Sequence, residues 1–158
     1  MAAVLSASRE AAHDIPVAVG AVLVAPCFGA APALPFVAGL SHHLFNAALP
    51  DAGYGGEALL GDLLEPVMKR LTQEALATLP ERLAGVVRQA LALTGNVDSA
   101  EARAFNASDA LDRVLELEAH ARAAGFTLRQ AMEDLELIHP GPLQAFGDGV
   151  LREAGVWP

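Results

Sequence analysis

The sequence predicts an all-α fold, and three observations favour it. The chain of 158 residues is 53% hydrophobic and 18% charged, which is typical of a folded globular domain. Aromatic residues make up only 5% of the chain, whereas alanine and leucine, which are strong helix formers, are abundant. No stretch of strand length alternates apolar and polar residues as a half-buried strand does. We therefore expect a single-domain helical bundle.

The first third of the chain is predicted to form two helices after a short lead-in. Residues 1–8 are expected to be a flexible N-terminal lead-in, and the helical domain is expected over residues 9–158. A first helix is predicted from about residue 9 to residue 25, with Pro16 as a weak point. A turn rich in proline and glycine follows, and a second helix is predicted over residues 33–47.

The remaining helices are predicted from turn and capping signals. A glycine-rich loop separates them from the second helix. Pro66 is expected in the first turn of a helix, and Asp98 with Glu101 three residues later predicts a capping box. Gly125 would close the long helix that this box begins. The predicted helices cover residues 57–79, 80–93, 98–124, 127–136 and 142–154.

Residues 15–40 carry no charge and are long enough on paper to span a bilayer. Four prolines interrupt this stretch, at positions 16, 26, 32 and 35. They would break a single helix repeatedly, and lipid could not satisfy the backbone groups that each break frees. The sequence therefore predicts two buried helices joined by a turn, and no membrane partner.

Charge and cysteine content narrow the choice of partners. The formal net charge is −9 and no basic cluster exceeds Lys69-Arg70, so a nucleic acid polymer is not expected as a partner. A small anionic substrate stays compatible, because a bound cation can dominate the local field. Cys27 is the only cysteine, which fits a reducing, cytoplasmic compartment, and its apolar neighbours predict a buried, inert thiol. The apolar helices also permit a homodimer, although nothing in the sequence specifies its face.

Two adjacent histidines mark the main candidate site. His42 and His43 stand at the end of an apolar run in a chain with only five histidines. Such a pair is a concentration of metal-binding or proton-handling chemistry. Glu57 and Asp62 follow in the next helical segment, five positions apart. They could equally supply the negative charge that a helix start favours.

Further ligands could come from distant parts of the chain. His13 lies early, and Asp109 or Asp112 lies in the long helix. Facing helices of a bundle can aim such side chains at one point, and a mixture of imidazole and carboxylate suits a first-row transition metal. An ordinary interpretation also exists, because Asp109 projects nearly opposite Leu111 and Leu115, as a solvated carboxylate would.

The order of these residues resembles the HD-domain superfamily of metal-dependent phosphohydrolases, and within it the small bacterial HD-type 5′-deoxynucleotidases. The most specific motif is the block from Glu57 to Arg70, in which Gly61-Asp62 and Glu65-Pro66-Val67 stand at the family's spacing. Ala12-His13-Asp14 and Ala107-Ser108-Asp109-Ala110-Leu111 match two other motifs. The resemblance covers roughly residues 9–125. It departs from the family at His42-His43, where the family has His-Asp.

The resemblance implies an HD-type helical domain that hydrolyses a small phosphorylated molecule, such as a nucleotide monophosphate, with a metal-activated water. His13, His42 and Asp109 would be metal ligands, with His43 as a fourth where the family has aspartate. Glu57 would be the general acid/base, and Asp62 would support the site or the substrate. The implied cofactor is one divalent transition metal: Mn, Co, Ni or Zn.

Two alternatives stay open at this point. The aspartate missing from the doublet removes a negative charge, which would also fit a metal-free descendant with a binding role or metal-independent chemistry. Some proteins of this superfamily are di-iron oxygenases, such as those that act on inositol or cleave phosphonates. They need more histidine ligands than the sequence places.

Overall fold

The computed structural model describes residues 2–49, 59–124 and 143–153, and the regular structure within these ranges is entirely helical. This confirms the predicted fold class. The helices are α1 (Ala2–Phe28), α2 (Ala33–Ser41), α3 (Leu64–Ala77), α4 (Glu81–Leu91), α5 (Ala100–Ala124) and α6 (Gln144–Glu153). Short 3₁₀ turns cover Leu44–Ala47 and Gly61–Leu63. The helix predicted over residues 127–136 and the cap predicted at Gly125 lie outside the described residues.

α1 is longer than the sequence predicts. It includes residues 2–8, which were expected to be lead-in, and it continues through Pro16 into its last turn, which contains Pro26. Gly29 ends the helix with φ 68°, a left-handed conformation that costs glycine little. Its N–H donates to the carbonyl of Pro26 at 3.1 Å. Pro16 therefore removes one hydrogen-bond donor without ending the helix.

Small residues allow α1, α2 and α5 to pack closely. Gly39 of α2 lies directly on the backbone of α1, because a Cβ placed on it would stand 2.6 Å from the amide nitrogen of Ala18. The hydroxyl of Ser108 in α5 donates to the carbonyl of Val17 in α1 at 2.8 Å, in a buried position. The buried face of α1 consists of Val17, Ala18, Ala21 and Ala25. These contacts bring the backbones of α2 and α5 close to the backbone of α1.

The main core cluster lies between these helices and α4. Phe105 of α5 is its largest member and is 2% exposed. The full cluster consists of Val17, Ala38, Ala90, Leu93, Ala102 and Phe105, with Leu34 and Val37 packed against it. The ring of Phe105 also meets the ring of His42 edge-on, with centroids 5.4 Å apart. The core cluster therefore contacts the candidate site directly, through Phe105 and His42.

The prediction that residues 15–40 form buried helices is wrong in part. Ile15, Val19 and Leu23 of α1 are exposed, since the helix packs through its alanine face and turns these larger side chains outward. Cys27 is exposed as well, contrary to the predicted buried thiol, because it stands two residues beyond the buried Ala25 and so on another side of the helix. Among the described residues, no helix combines the length and the apolarity needed to cross a membrane.

Two local predictions about helix starts have different outcomes. Pro66 lies in the first turn of α3, as predicted. The capping box at Asp98 is wrong, because Ser99 caps α5: its Oγ accepts a hydrogen bond from the N–H of Ala102 at 3.0 Å. Glu101 instead accepts from the N–H of Ala31, at 3.3 Å, and thereby ties the start of α5 to the turn after α1.

Candidate metal centre

Helical periodicity places four of the candidate side chains on buried faces. In α1, His13 and Asp14 precede the buried Val17 and Ala18 by four residues each, so they extend the same face. In α5, Asp109 and Asp112 continue the row begun by Ala102 and Phe105, at intervals of three and four residues. The carboxylates of α5 therefore point toward α1, on the side that also packs against α2.

The end of α2 supplies the two neighbouring histidines. The predicted helix over residues 33–47 stops early, at Ser41, and His42 is its C-cap, with its N–H bonded to the carbonyl of Ala38 at 2.9 Å. His43 follows in the turn before the 3₁₀ segment. The side chain of His42 is only 6% exposed, because it lies on the same face as the buried Ala38.

Three ligand-type atoms converge at the centre of the site. Nε2 of His13 lies 3.3 Å from Nε2 of His42 and 3.3 Å from Oδ1 of Asp109. The third side of this triangle, from Nε2 of His42 to Oδ1 of Asp109, measures 3.6 Å. A tetrahedral ion with ligand bonds of about 2.0–2.1 Å has ligand atoms about 3.4 Å apart. The spacing of the three atoms therefore fits one face of a metal coordination shell.

The other ring nitrogens determine where the protons lie. Nδ1 of His13 donates to Oδ2 of Asp112 at 2.6 Å, and Nδ1 of His42 donates to the carbonyl of Gly39 at 2.9 Å. Both partners are acceptors, so a neutral imidazole here keeps its proton on Nδ1 and leaves Nε2 bare. The buried Oδ1 of Asp109 has no hydrogen-bond partner among the described residues. Three electron pairs thus face one another, and only a cation between them, a metal ion or a proton, makes that arrangement favourable.

Asp14 and His43 form a second pair beside this triangle. Nδ1 of His43 donates to Oδ1 of Asp14 at 2.9 Å, and the ring of His43 lies 3.8 Å from that of His42, measured between centroids. Ligand atoms of His13, Asp14, His42 and His43 all lie within 4.8 Å of one another, so this group could hold a metal ion. His43, expected as a fourth ligand, already uses Nδ1 for Asp14 and would coordinate only through Nε2.

Asp109 connects the cluster to a cation at the surface. Its Oδ2 lies 3.2 Å from a terminal nitrogen of the Arg113 guanidinium, while its Oδ1 faces the imidazoles. Burial alone would raise the pKa of Asp109, but the imidazoles of His13 and His42 and the charge of Arg113 outweigh it and hold the pKa below its usual range. Asp109 is therefore an anion at neutral pH, as a metal ligand must be.

The pKa of His13 is raised above its ordinary value. The neighbouring carboxylate of Asp109 is the main cause, burial acts in the opposite direction, and Asp112 adds to the increase. A proton can thus take the place of the cation when no metal is bound. Because the folded-state pKa lies above the unfolded one, protonated His13 stabilises the metal-free protein fully below about pH 6.5, and this contribution is lost as the pH rises through the raised pKa.

We therefore expect opposite pH dependences with and without metal. With excess chelator, Tm should fall as the pH rises from about 6 to 8, since His13 loses its proton. Metal affinity should increase over the same range, because the ion and the proton compete for Nε2. Thermal unfolding followed by circular dichroism tests both. In chelated His13→Gln, most of this fall in Tm with rising pH should disappear. A fall as steep as that of the wild type would contradict the assignment of His13 as the group that binds the proton.

The two carboxylates predicted to be catalytic are not part of the described cluster. Asp62 lies in the 3₁₀ turn Gly61–Leu63, where it is exposed and has no hydrogen bond or ion pair with the described residues. Glu57 lies outside the described residues, so its role stays a prediction. The cluster instead contains two carboxylates with functions that the sequence did not predict: Asp14, which holds His43, and Asp112, which orients His13.

Only part of this arrangement had a signal in the sequence. His13 and Asp14 are neighbours in the sequence, and Asp109 and Asp112 are three residues apart on one helical face. Either spacing could have indicated that both members of each pair reach the same site. Which member of each pair is the ligand and which one orients a histidine depends on distances between helices. No spacing within one helix reveals those distances.

The fold and the site together define an all-helical protein whose histidines and aspartates form a cluster able to hold a metal ion. Comparison with protein-family models, curated proteins and solved structures found no match to the chain.

Proposed function

We propose that the protein is a metal-dependent hydrolase of a small phosphorylated molecule, with a nucleotide monophosphate as the leading substrate class. The convergence of Nε2 of His13, Nε2 of His42 and Oδ1 of Asp109 supports this proposal most strongly. The motifs that resemble HD-type phosphohydrolases supply the reaction class.

Donor chemistry supports a single divalent transition metal at these three atoms. Two imidazole nitrogens and one carboxylate oxygen suit Mn, Co, Ni or Zn better than calcium, which prefers an all-oxygen shell. A divalent ion bound there supplies Lewis-acid activation of water near neutral pH and stabilises phosphoryl charge.

The chain's own residues prepare the site for this chemistry. Asp112 and the carbonyl of Gly39 keep the Nδ1 protons of His13 and His42 pointing away from the centre, which leaves both Nε2 atoms free. Asp109 contributes the negative charge. The buried ring of Phe105 packs edge-on against the ring of His42 on the side of the core. Glu57 and Asp62 are proposed to act as the acid/base and its support on the strength of the resemblance.

An iron-dependent oxygenase is the second candidate, and one observation favours it. Asp14 and His43 lie beside the three converging atoms, so the described cluster holds more histidine and aspartate than one ion needs. Two irons per chain together with oxygen consumption would support this class. A chain that contains no metal would support a scaffold with a binding role.

The proposal predicts phosphate release that depends on both metal and His42. Protein purified without chelator should carry about one transition-metal ion per chain and should release inorganic phosphate from nucleoside 5′-monophosphates. Chelation and His42→Ala should each lower the rate at least ~100-fold, because either removes the activated water. Asp98→Asn, an exposed carboxylate outside the cluster, is the control and should keep the full rate. Metal-loaded protein that releases no phosphate from a panel of small esters would refute the hydrolase while leaving the metal site intact.

A further inference from the structure

The cluster is strongly acidic, which poses a problem for an anionic substrate. Asp14, Asp109 and Asp112 all contribute to it, and the imidazoles are neutral when their Nε2 atoms serve as ligands. Among the residues that the structure describes, Arg113 is the only lysine or arginine paired with one of these carboxylates. A divalent ion would balance only two of these three negative charges, so an approaching anion needs a further positive group.

Arg113 has unused hydrogen-bonding capacity. Its guanidinium meets Oδ2 of Asp109 through one terminal nitrogen, at 3.2 Å, and the side chain is 50% exposed. A guanidinium carries five N–H donors in a planar fork, and the structure records no other interaction of this one among the described residues. The fork that stays free matches two oxygens of a phosphate group.

The contact between Arg113 and Asp109 places the guanidinium beside the proposed metal site. One oxygen of Asp109 faces the two imidazoles and the other faces Arg113, so the carboxylate lies between the proposed metal and the guanidinium. The half-exposed guanidinium therefore stands next to the proposed metal, on the outer side of Asp109. Lysine could supply the charge at this point but not the two-pronged geometry.

We propose that Arg113 is the phosphate-binding residue of the site and that it holds the substrate's phosphoryl group beside the metal. This inference rests on the proposed function for its choice of anion. It differs from a purely structural role, in which Arg113 would only neutralise and orient Asp109. A structural role would show as lost metal affinity, whereas phosphate binding leaves metal affinity unchanged.

The test is calorimetric titration of inorganic phosphate into the manganese-loaded protein, with the metal content of every sample measured in parallel. Arg113→Ala should weaken phosphate binding at least ~10-fold with manganese retained, and Arg113→Lys should fall between this variant and the wild type. Arg88→Ala is the matched control, because Arg88 is equally exposed and also pairs with one carboxylate, that of Glu81 at 3.1 Å. It should bind phosphate as the wild type does.

Four results would overturn the inference: phosphate affinity unchanged in Arg113→Ala, an equal loss in Arg88→Ala, a loss that merely follows lost manganese, or no phosphate binding by the wild type. If Arg113→Ala keeps its phosphate affinity while the wild type hydrolyses phosphate esters, this inference fails and the proposed function stands. If phosphate binding depends on Arg113 but no ester is hydrolysed, the anion site stands and the proposed function fails.

Discussion

Replacement of Asp109 by asparagine is expected to weaken transition-metal binding at least ~100-fold. Loss of a residue that merely orients a ligand typically costs 10–100-fold in affinity, and Asp109 is proposed as a ligand itself. Asparagine keeps the shape of the side chain but removes the negative charge that faces His13 and His42. The amide could also turn its NH₂ group toward the imidazoles, which would place donors where a cation should bind.

Competition with a chromophoric chelator measures this affinity directly. Asp98→Asn is the control, since Asp98 is an exposed carboxylate whose backbone carbonyl, not its side chain, contacts Arg103. Circular dichroism of the chelated Asp109→Asn protein should show unchanged helix content, which would exclude unfolding as the cause of the weaker metal binding. Asp109→Asn protein that binds metal as tightly as the wild type would show that the ion, if any, lies elsewhere.

Replacement of Gly39 by alanine is expected to destabilise the protein by about 3 kcal/mol, at the upper end of the usual cost of overpacking. The added Cβ would meet the backbone nitrogen and Cα of Ala18, and no rotamer change can relieve contact with backbone. α1 and α2 would have to move apart. For a chain of this size the loss corresponds to roughly 6–12 °C in Tm.

The same substitution should also disturb the site. The carbonyl of Gly39 accepts the proton on Nδ1 of His42, so a displaced α2 would release that ring. Gly85→Ala is the matched control: Gly85 lies inside α4, a Cβ there would meet no atom within 4 Å, and alanine should stabilise the helix by about 0.5–1 kcal/mol. Thermal unfolding of both variants, with and without metal, checks this. An equal Tm for the two would show that α1 and α2 do not pack at backbone distance.

The fold class was predictable because composition alone favours helices, and several helix ends carry local signals. Gly29 and Gly95 both adopt positive φ, as glycines after helices often do, and Pro66 lies in a first helical turn. Local signals failed where two candidates were adjacent. Ser99 rather than Asp98 caps α5, since only its hydroxyl reaches the N–H of Ala102.

The buried faces were harder to predict, because small residues rather than large ones define them. Leu111 and Leu115 predict an orientation of α5 in which Asp109 faces solvent, yet Leu115 is 50% exposed and the helix packs through Ala102, Phe105 and their neighbours. Asp109 therefore lies in the interior at a position that the leucines mark as solvent-facing. In an alanine-rich bundle the backbone distance between helices decides burial, and this distance depends on contacts such as Gly39 against Ala18.

The membership of the site was predictable in part. The structure brings His13, His42 and Asp109 together, as predicted from the capacity of facing helices in a bundle to share a site. The hydrogen bonds that assign each proton, from His13 to Asp112 and from His42 to the carbonyl of Gly39, depend on tertiary packing. No pattern within a single helix contains that information.

The most direct test of the central claim is a crystal structure of the manganese-loaded protein with anomalous data. We expect one strong anomalous peak within bonding distance of Nε2 of His13, Nε2 of His42 and Oδ1 of Asp109, at roughly 2.0–2.2 Å from each. A protein that stays empty at saturating manganese, or a peak bound to other residues with these three atoms still in mutual contact, would contradict the account.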